Sequence, residues 1–151
     1  MKQRVPQVLG LAAVLLTALS ASAQESKTGA PDFSLIGYAA TAGGTTGGNG
    51  GKTNTVSTVD AFRAAAGATE PLNILVSGML DLGSETVKVA ANKTITGLGA
   101  NAGVIGHVFL EGVSNIIIRN LTFTNPKGVG QGMGGGDGMT ANNSHHVWVD
   151  H

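Results

Sequence analysis

The residues best suited to chemistry lie in the final segment of the 151-residue sequence, 137–151, which reads DGMTANNSHHVWVDH. Asp137 lies in a glycine-rich turn, where a carboxylate can supply one of the roughly six to eight oxygen ligands that calcium takes. Asp150 and His151 place a carboxylate beside an imidazole, a pair suited to acid–base catalysis near neutral pH. The alternatives are a solvated aspartate at position 137 and a hydrogen-bonded structural turn at the end of the segment.

The histidines are a second candidate for metal chemistry. His145 and His146 are adjacent, and paired histidines can bind transition metals. Because successive residues of a strand point to opposite faces, we expect these two side chains to diverge rather than share one ion. His107 follows a glycine and is expected at a turn. All three histidines are therefore interpreted as turn or corner residues.

Short apolar strands must position these residues. Residues 74–76, 94–96, 116–118 and 147–149 start 20, 22 and 31 positions apart, and an insertion of about nine residues within 125–136 accounts for the longer interval. Shorter strands at 87–89, 108–110 and 138–140 lie between them, separated by Gly or Asn corners. This spacing predicts an all-β, right-handed parallel β-helix of three to four coils. A β-sandwich is the alternative, although tight hairpin signals are sparse between these strands.

A short helix is predicted before the repeats. Ser57 or Thr58 can cap its N-terminus, Phe62 and Ala66 share one face, and Gly67 ends it. Such a helix at the open end of a solenoid would cover the first coil, whose strand edges and apolar end are otherwise exposed.

Composition and the first residues bound the class of protein. Lys plus Arg balance Asp plus Glu at nine each, and no basic stripe is present, which argues against nucleic acid and anionic membrane surfaces as partners. Cysteine is absent, so no disulfide stabilises the fold. Residues 1–23 combine a basic start, a short apolar run and a small-residue cleavage site, which predicts a signal peptide and a secreted, extracellular protein. Residues 24–35 are interpreted as a lead-in segment.

The final segment resembles the extracellular pectate lyases of polysaccharide lyase family 1. Their signature ends a strand in Val-Trp-(Val/Ile)-Asp-His, with an aspartate thirteen positions upstream, and Trp148, Asp150, His151 and Asp137 occupy the matching positions. The resemblance implies that Asp137 is a calcium ligand, that calcium is the cofactor, and that the other three residues are structural. The family often has a second aspartate where this sequence has Gly135, which implies a weaker site.

The resemblance also bears on residues 43–52, GGTTGGNGGK. Composition alone favours a flexible linker. In the family, a similar run follows a Gly-Tyr-Ala start, here Gly37-Tyr38-Ala39, and belongs to the folded domain. We therefore predict that residues 36–151 are the N-terminal part of a pectate lyase β-helix, truncated at its C-terminal end.

The activity implied by the resemblance is calcium-dependent β-elimination of α-1,4-linked galacturonan, with polygalacturonate or pectin as substrate and a monomer at full length. The family's proton-abstracting arginine and further calcium ligands lie in later coils, so we expect no catalytic residue within this chain and no activity from it alone. Arg119 is interpreted as structural. Pectin lyase and a non-catalytic carbohydrate-binding β-helix are the alternatives; Asp137 disfavours the first, and the few irregular repeats disfavour the second.

Overall fold

The computed structural model describes residues 34–129 and 136–150. The predictions for the signal peptide, for most of the lead-in segment, for Gly135 and for His151 lie outside the described residues. A 3₁₀ turn, Gly37–Ala40, precedes the repeats, and one helix, α1, spans Val59–Gly67. The strands are β1 Lys52–Val56, β2 Leu72–Lys88, β3 Lys93–Glu111, β4 Ser114–Arg119, β5 Thr122–Thr124, β6 Met139–Asn142 and β7 His145–Asp150.

The strands form a parallel β-helix with three faces, which confirms the predicted fold. Face A contains β1, residues 72–77 of β2, residues 93–98 of β3, then β4 and β7. Face B contains residues 79–81, residues 103–105 and β5, and face C contains residues 86–88, residues 107–111 and β6. Every pairing is parallel, and β2 and β3 each bend around all three faces.

Face B is the part of each coil that the sequence pattern did not predict. In β2 only Gly78, with φ +81°, separates face A from face B, and the register shifts there. Because the corner is a single residue, the two strands merge into one apolar run in the sequence. Glycine can form so short a corner because it adopts positive φ without a steric cost. The missing corner signal is therefore the reason that face B was not predicted.

Stacked aliphatic side chains form the core. Ile74 pairs with Ile95 and Ile95 with Ile118, and each of the three is at most 1% exposed. No coil can bury its inward side chains alone, so each isoleucine is covered by those of its neighbours. The apolar column along face A therefore holds successive coils in register.

Helix α1 covers the first coil, as predicted. The Thr58 hydroxyl accepts a hydrogen bond from the amide of Ala61, which satisfies one of the free donors at the helix start. Phe62 and Ala66 are buried and join the core. No helix within the described residues is long and apolar enough to cross a bilayer.

One core position of face A is a lysine. Lys93 pairs with Leu72 on one side and Ile116 on the other, and it is fully buried. Its Nζ donates to the carbonyl oxygens of Glu70 and Ala91, both at 2.8 Å. Burial lowers the pKa of Lys93, and the nearby Glu70 carboxylate partly opposes that change.

A segment that we call the strap, residues 42–51, runs across the outside of face A. It contacts one polar side chain in each of four successive coils. These side chains are Asn73, Thr94, Asn115 and His146. The densest contact is at Asn115, whose Oδ1 accepts from the amides of Thr46 and Gly47 at 2.7 and 2.8 Å.

The strap packs too closely for any side chain at three of its glycines, Gly47, Gly48 and Gly51. A Cβ at Gly48 would lie 2.0 Å from the carbonyl oxygen of Leu72. A Cβ at Gly47 would lie 2.1 Å from Thr94 Oγ1, and its φ is +57°. The glycine-rich run is therefore packed against the solenoid rather than extended as a flexible linker.

Candidate functional site

Asp137 lies at the entrance to face C of the third coil, two residues before β6 begins. Asn125 Nδ2 donates to the Asp137 carbonyl oxygen at 2.8 Å and to the Val129 carbonyl oxygen at 2.9 Å. The amide of Val108, in the preceding coil, donates to the Gly138 carbonyl oxygen at 3.0 Å. The main chain at Asp137 is thus anchored on both sides, while the residue itself is exposed.

The carboxylate of Asp137 makes no salt bridge within residues 34–129 and 136–150. It is thus available to a cation or ligand from solution. One carboxylate is a small part of a calcium site, because calcium takes about six to eight oxygen ligands. Among the described residues, no three histidine, aspartate or glutamate side chains lie together as a metal site. Within the described residues, Asp137 is therefore a single candidate ligand and not part of a carboxylate cluster.

His107 connects three successive coils of face C, in a place that the sequence did not predict. Its Nδ1 lies 3.1 Å from Thr86 Oγ1 in the first coil, and its Nε2 lies 3.0 Å from Thr140 Oγ1 in the third. The residue is only 4% exposed and belongs to β3. The expectation of a turn residue is therefore wrong. Its alternation with buried Val108 places it on the outer side of a strand, and that signal was available in the sequence.

Charged and aromatic side chains continue along the outside of face C. Lys88, in the first coil, pairs with Phe109 in the second, and Lys88 Nζ lies 5.9 Å from the centre of the Phe109 ring. The same Nζ lies 3.7 Å from Glu111 Oε2. This group joins a cation, an aromatic ring and a carboxylate on the face that carries Asp137.

The terminal signature lies on face A instead. Trp148 pairs with Ile117 on the outer side of β4, which the strap covers, and β7 also lies against the Gly37–Ala40 turn. The Asp150 carbonyl oxygen accepts a hydrogen bond from the amide of Asn120. These contacts place the two residues among packing elements, on a different face of the solenoid from Asp137.

Comparisons with known proteins identify the family. The sequence model of a family described as pectate lyase matches residues 11–151. The chain belongs to the pectate lyase family. It is 36% identical to Probable pectate lyase B of Aspergillus flavus over 98% of this chain, and 36% identical to the pectate trisaccharide-lyase of Bacillus licheniformis over 95% of it. The predicted family membership is confirmed.

A solved pectate lyase structure shares the fold. Bsp165PelA from Bacillus sp. N165, determined in complex with trigalacturonate, is 29% identical, superposes with a TM-score of 0.65 and matches 78% of this chain. That match covers 41% of its own length, and the two relatives above are each matched over 45% of theirs. The chain therefore spans less than half the length of the pectate lyases that it matches.

The expectation that the side chains of His145 and His146 diverge is wrong. His145 and His146 do not point to opposite faces, because their Nδ1 atoms lie 2.7 Å apart. The cause is the backbone of His146, whose φ of +52° interrupts the strand alternation. His146 Nε2 lies 3.3 Å from the Ala42 carbonyl oxygen, so the residue does form a corner that meets the strap.

Proposed function

We propose that this chain supplies the N-terminal coils of a calcium-dependent pectate lyase, which cleaves α-1,4-linked galacturonan by β-elimination. The observation that carries the proposal is the exposed residue Asp137, whose main chain is held at the entrance to face C of a pectate lyase solenoid. Bsp165PelA, which shares the fold, was determined with trigalacturonate. A free carboxylate favours calcium and unesterified pectate over methylated pectin, whose esters bind cations poorly.

The reaction removes the proton on C5 of a galacturonate residue and breaks the bond between C4 and the glycosidic oxygen. A C4–C5 double bond forms, and the departing oxygen takes up a proton. Calcium, when bound, neutralises the uronate carboxylate and stabilises the negative charge that develops at C5. Asp137 is the residue of this chain that would hold the ion.

The base that takes the C5 proton is not assigned to this chain. Arg119, the arginine nearest the signature, lies on face A with its Nε 3.4 Å from Thr96 Oγ1. Arg63 pairs with Asp60 and Glu85 at helix α1. We therefore propose that catalysis needs groups from outside this stretch, in keeping with its match to less than half of each relative.

The proposed enzyme acts outside the cell. Support comes from residues 1–23, which have the basic start, apolar run and small-residue cleavage site of a signal peptide. Its substrate, a cell-wall polysaccharide, is also extracellular. N-terminal sequencing of the secreted protein should begin near Gln24, and retention of the first 23 residues would contradict the export proposal.

The calcium role of Asp137 is tested by binding. Trigalacturonate is titrated calorimetrically into the chain with calcium and with a chelator, for the wild type, Asp137→Asn and Asp60→Asn. Asp60 is a matched control, because its side chain is 93% exposed at helix α1. We expect Asp137→Asn to reduce the enhancement of binding by calcium about tenfold or more, since even outer-shell partners of a metal contribute that much.

Asp60→Asn should leave the enhancement unchanged. If both variants lose the calcium enhancement equally, the enhancement depends on the net charge of the chain and not on Asp137. If Asp137→Asn keeps the full enhancement, Asp137 is not a calcium ligand. The lyase reaction itself is followed through the ultraviolet absorbance of the unsaturated uronate. We expect none from this chain alone on polygalacturonate with calcium, and calcium-dependent product from it would overturn the proposal that later coils are required.

A further inference from the structure

An aromatic ring faces outward on face C of the second coil, one coil before the strand that follows Asp137. Phe109 alternates with Val108 and Leu110, which are at most 1% exposed, so its ring points away from the core. It is half-buried rather than covered. Thr140, the register partner of Phe109 in the third coil, lies three residues after Asp137. The ring is therefore one coil away from β6, the strand that follows Asp137.

The ring is held in place by the residues around it. His107 stacks on Phe109 with ring centres 5.8 Å apart and an angle of 27° between the planes. His107 is fixed in turn by its contacts to Thr86 and Thr140. A ring whose orientation is fixed before binding loses little entropy when a ligand stacks on it. Face C thus offers a preorganised platform.

A cation lies beside this platform. Lys88 Nζ is 5.9 Å from the Phe109 ring centre, and the Lys88 side chain is 74% exposed. Its partner, Glu111, is 49% exposed at 3.7 Å. An exposed ion pair of this kind is weak, because water screens both charges. A carboxylate from solution can therefore compete with Glu111 for Lys88.

We propose that Lys88 and Phe109 form a galacturonate-binding subsite adjoining Asp137. The apolar C–H face of the sugar stacks on Phe109 and the uronate carboxylate pairs with Lys88, which matches the two chemical features of this residue type. Adjacent coils are about 4.8 Å apart, a spacing comparable with the length of one sugar residue. A galacturonan chain along the solenoid axis then places successive sugars over successive coils. This inference rests on the proposed function, because that function supplies the substrate.

A substitution of Glu111 is expected to strengthen binding, and a misfolded variant cannot produce that result. The Glu111 carboxylate both occupies Lys88 and repels an incoming uronate. We therefore expect Glu111→Gln to bind trigalacturonate about threefold more tightly and Lys88→Gln about threefold more weakly, in line with the strength of exposed ion pairs. Phe109→Ala should weaken binding about fivefold through loss of the stacking surface.

The experiment is calorimetric titration of trigalacturonate, with a chelator present so that Asp137 and calcium do not contribute. Lys52→Gln is the matched control, because Lys52 is also an exposed lysine but lies on face A. It should bind as the wild type does. Neutral galactotriose separates the two contacts: Phe109→Ala should weaken its binding, whereas Lys88→Gln should not.

The subsite is overturned if Lys88→Gln and Lys52→Gln weaken binding equally, or if Glu111→Gln fails to strengthen it. Failure of the proposed function looks different. In that case the wild type binds trigalacturonate no better with calcium than with the chelator. Enhancement by calcium that depends on Asp137, together with wild-type binding by Phe109→Ala and Lys88→Gln, would retain the proposed function and reject the subsite.

Discussion

Faces A and C of the same solenoid have opposite surroundings. The outer side of face A is covered by the strap, which contacts Asn73, Thr94 and Asn115 in successive coils. On the outer side of face C, no segment among residues 34–129 and 136–150 is seen to cross in the same way, and Lys88 is exposed there and Phe109 half-buried. Both faces enclose the same apolar core, so they differ only in what lies on their outer sides. Among the described residues, face A therefore packs against the strap, and face C is the face that we propose for ligand binding.

The most recognisable residues and the proposed calcium ligand lie on different faces. Trp148 and Asp150 lie on the covered face, where their surroundings are packing and main-chain hydrogen bonds. Asp137 lies on the open face, with an exposed carboxylate. The conspicuous motif thus lies among packing contacts, whereas the proposed ligand site contains a single carboxylate in a glycine-rich turn.

The largest effect is expected from breaking the cover of face A. A Cβ at Gly48 meets the Leu72 main chain, which cannot move without disturbing the β1–β2 pairing. Gly48→Ala should therefore lower the free energy of unfolding by about 2–3 kcal/mol. Urea denaturation measures the change. Gly67→Ala is the matched control, because nothing lies within 4 Å of its added Cβ.

Gly67→Ala should stay within about 0.5 kcal/mol of the wild type. The folded fraction of Gly48→Ala should still bind trigalacturonate as the wild type does, since the strap lies on the other face. Equal stability of the two variants would show that the strap is loosely packed. Loss of binding in folded Gly48→Ala would show that faces A and C are not independent.

A smaller effect on the free energy of unfolding is expected from His107, which links the coils of face C. His107→Leu removes the hydrogen bonds to Thr86 and Thr140, and each such bond contributes about 1 kcal/mol. The free energy of unfolding should fall by about 1–2 kcal/mol. Thr86→Val, which removes one of the two bonds, should cost about half as much. No loss in either variant would exclude His107 as a link between coils.

The smallest effect is the pH dependence of stability that buried Lys93, on the inner side of face A, is expected to cause. Because burial lowers the pKa of Lys93 below its ordinary value of 10.5, the unfolded chain binds the proton more tightly than the folded one. The free energy of unfolding should therefore rise with pH between the folded and the unfolded pKa. Urea denaturation from pH 7 to pH 10 should show this rise in the wild type and not in Lys93→Met. Parallel pH profiles of the two proteins would contradict it.

Much of the fold was predictable because its signals are local. Apolar strands at repeating intervals, and a helix from its Thr58 cap to Gly67, follow from periodicity and turn chemistry, and both are confirmed. Face B was missed because a one-residue corner at Gly78 hides the boundary between two strands. Composition alone left the strap open to two interpretations, because its role depends on contacts to residues 22–104 positions away.

The candidate site was less predictable for the same reason. Asp137 was identified through the spacing of a known signature, and its role as a calcium ligand remains a proposal. His107, Lys88 and Phe109 come from different coils, and only the strand register brings them together. The predicted directions of the His145 and His146 side chains are wrong because the sequence gives little sign of a positive φ in a non-glycine residue.

The most direct test of the contrast between the two faces is a map of amide chemical shifts on adding calcium and trigalacturonate to the isotope-labelled chain. Our account predicts the largest changes on face C, at Asp137, Phe109 and Lys88. The indole N–H of Trp148 and the amide of Asp150 should remain unchanged. Changes centred on Trp148 and Asp150, with face C silent, would contradict the assignment of face C as the ligand-binding face.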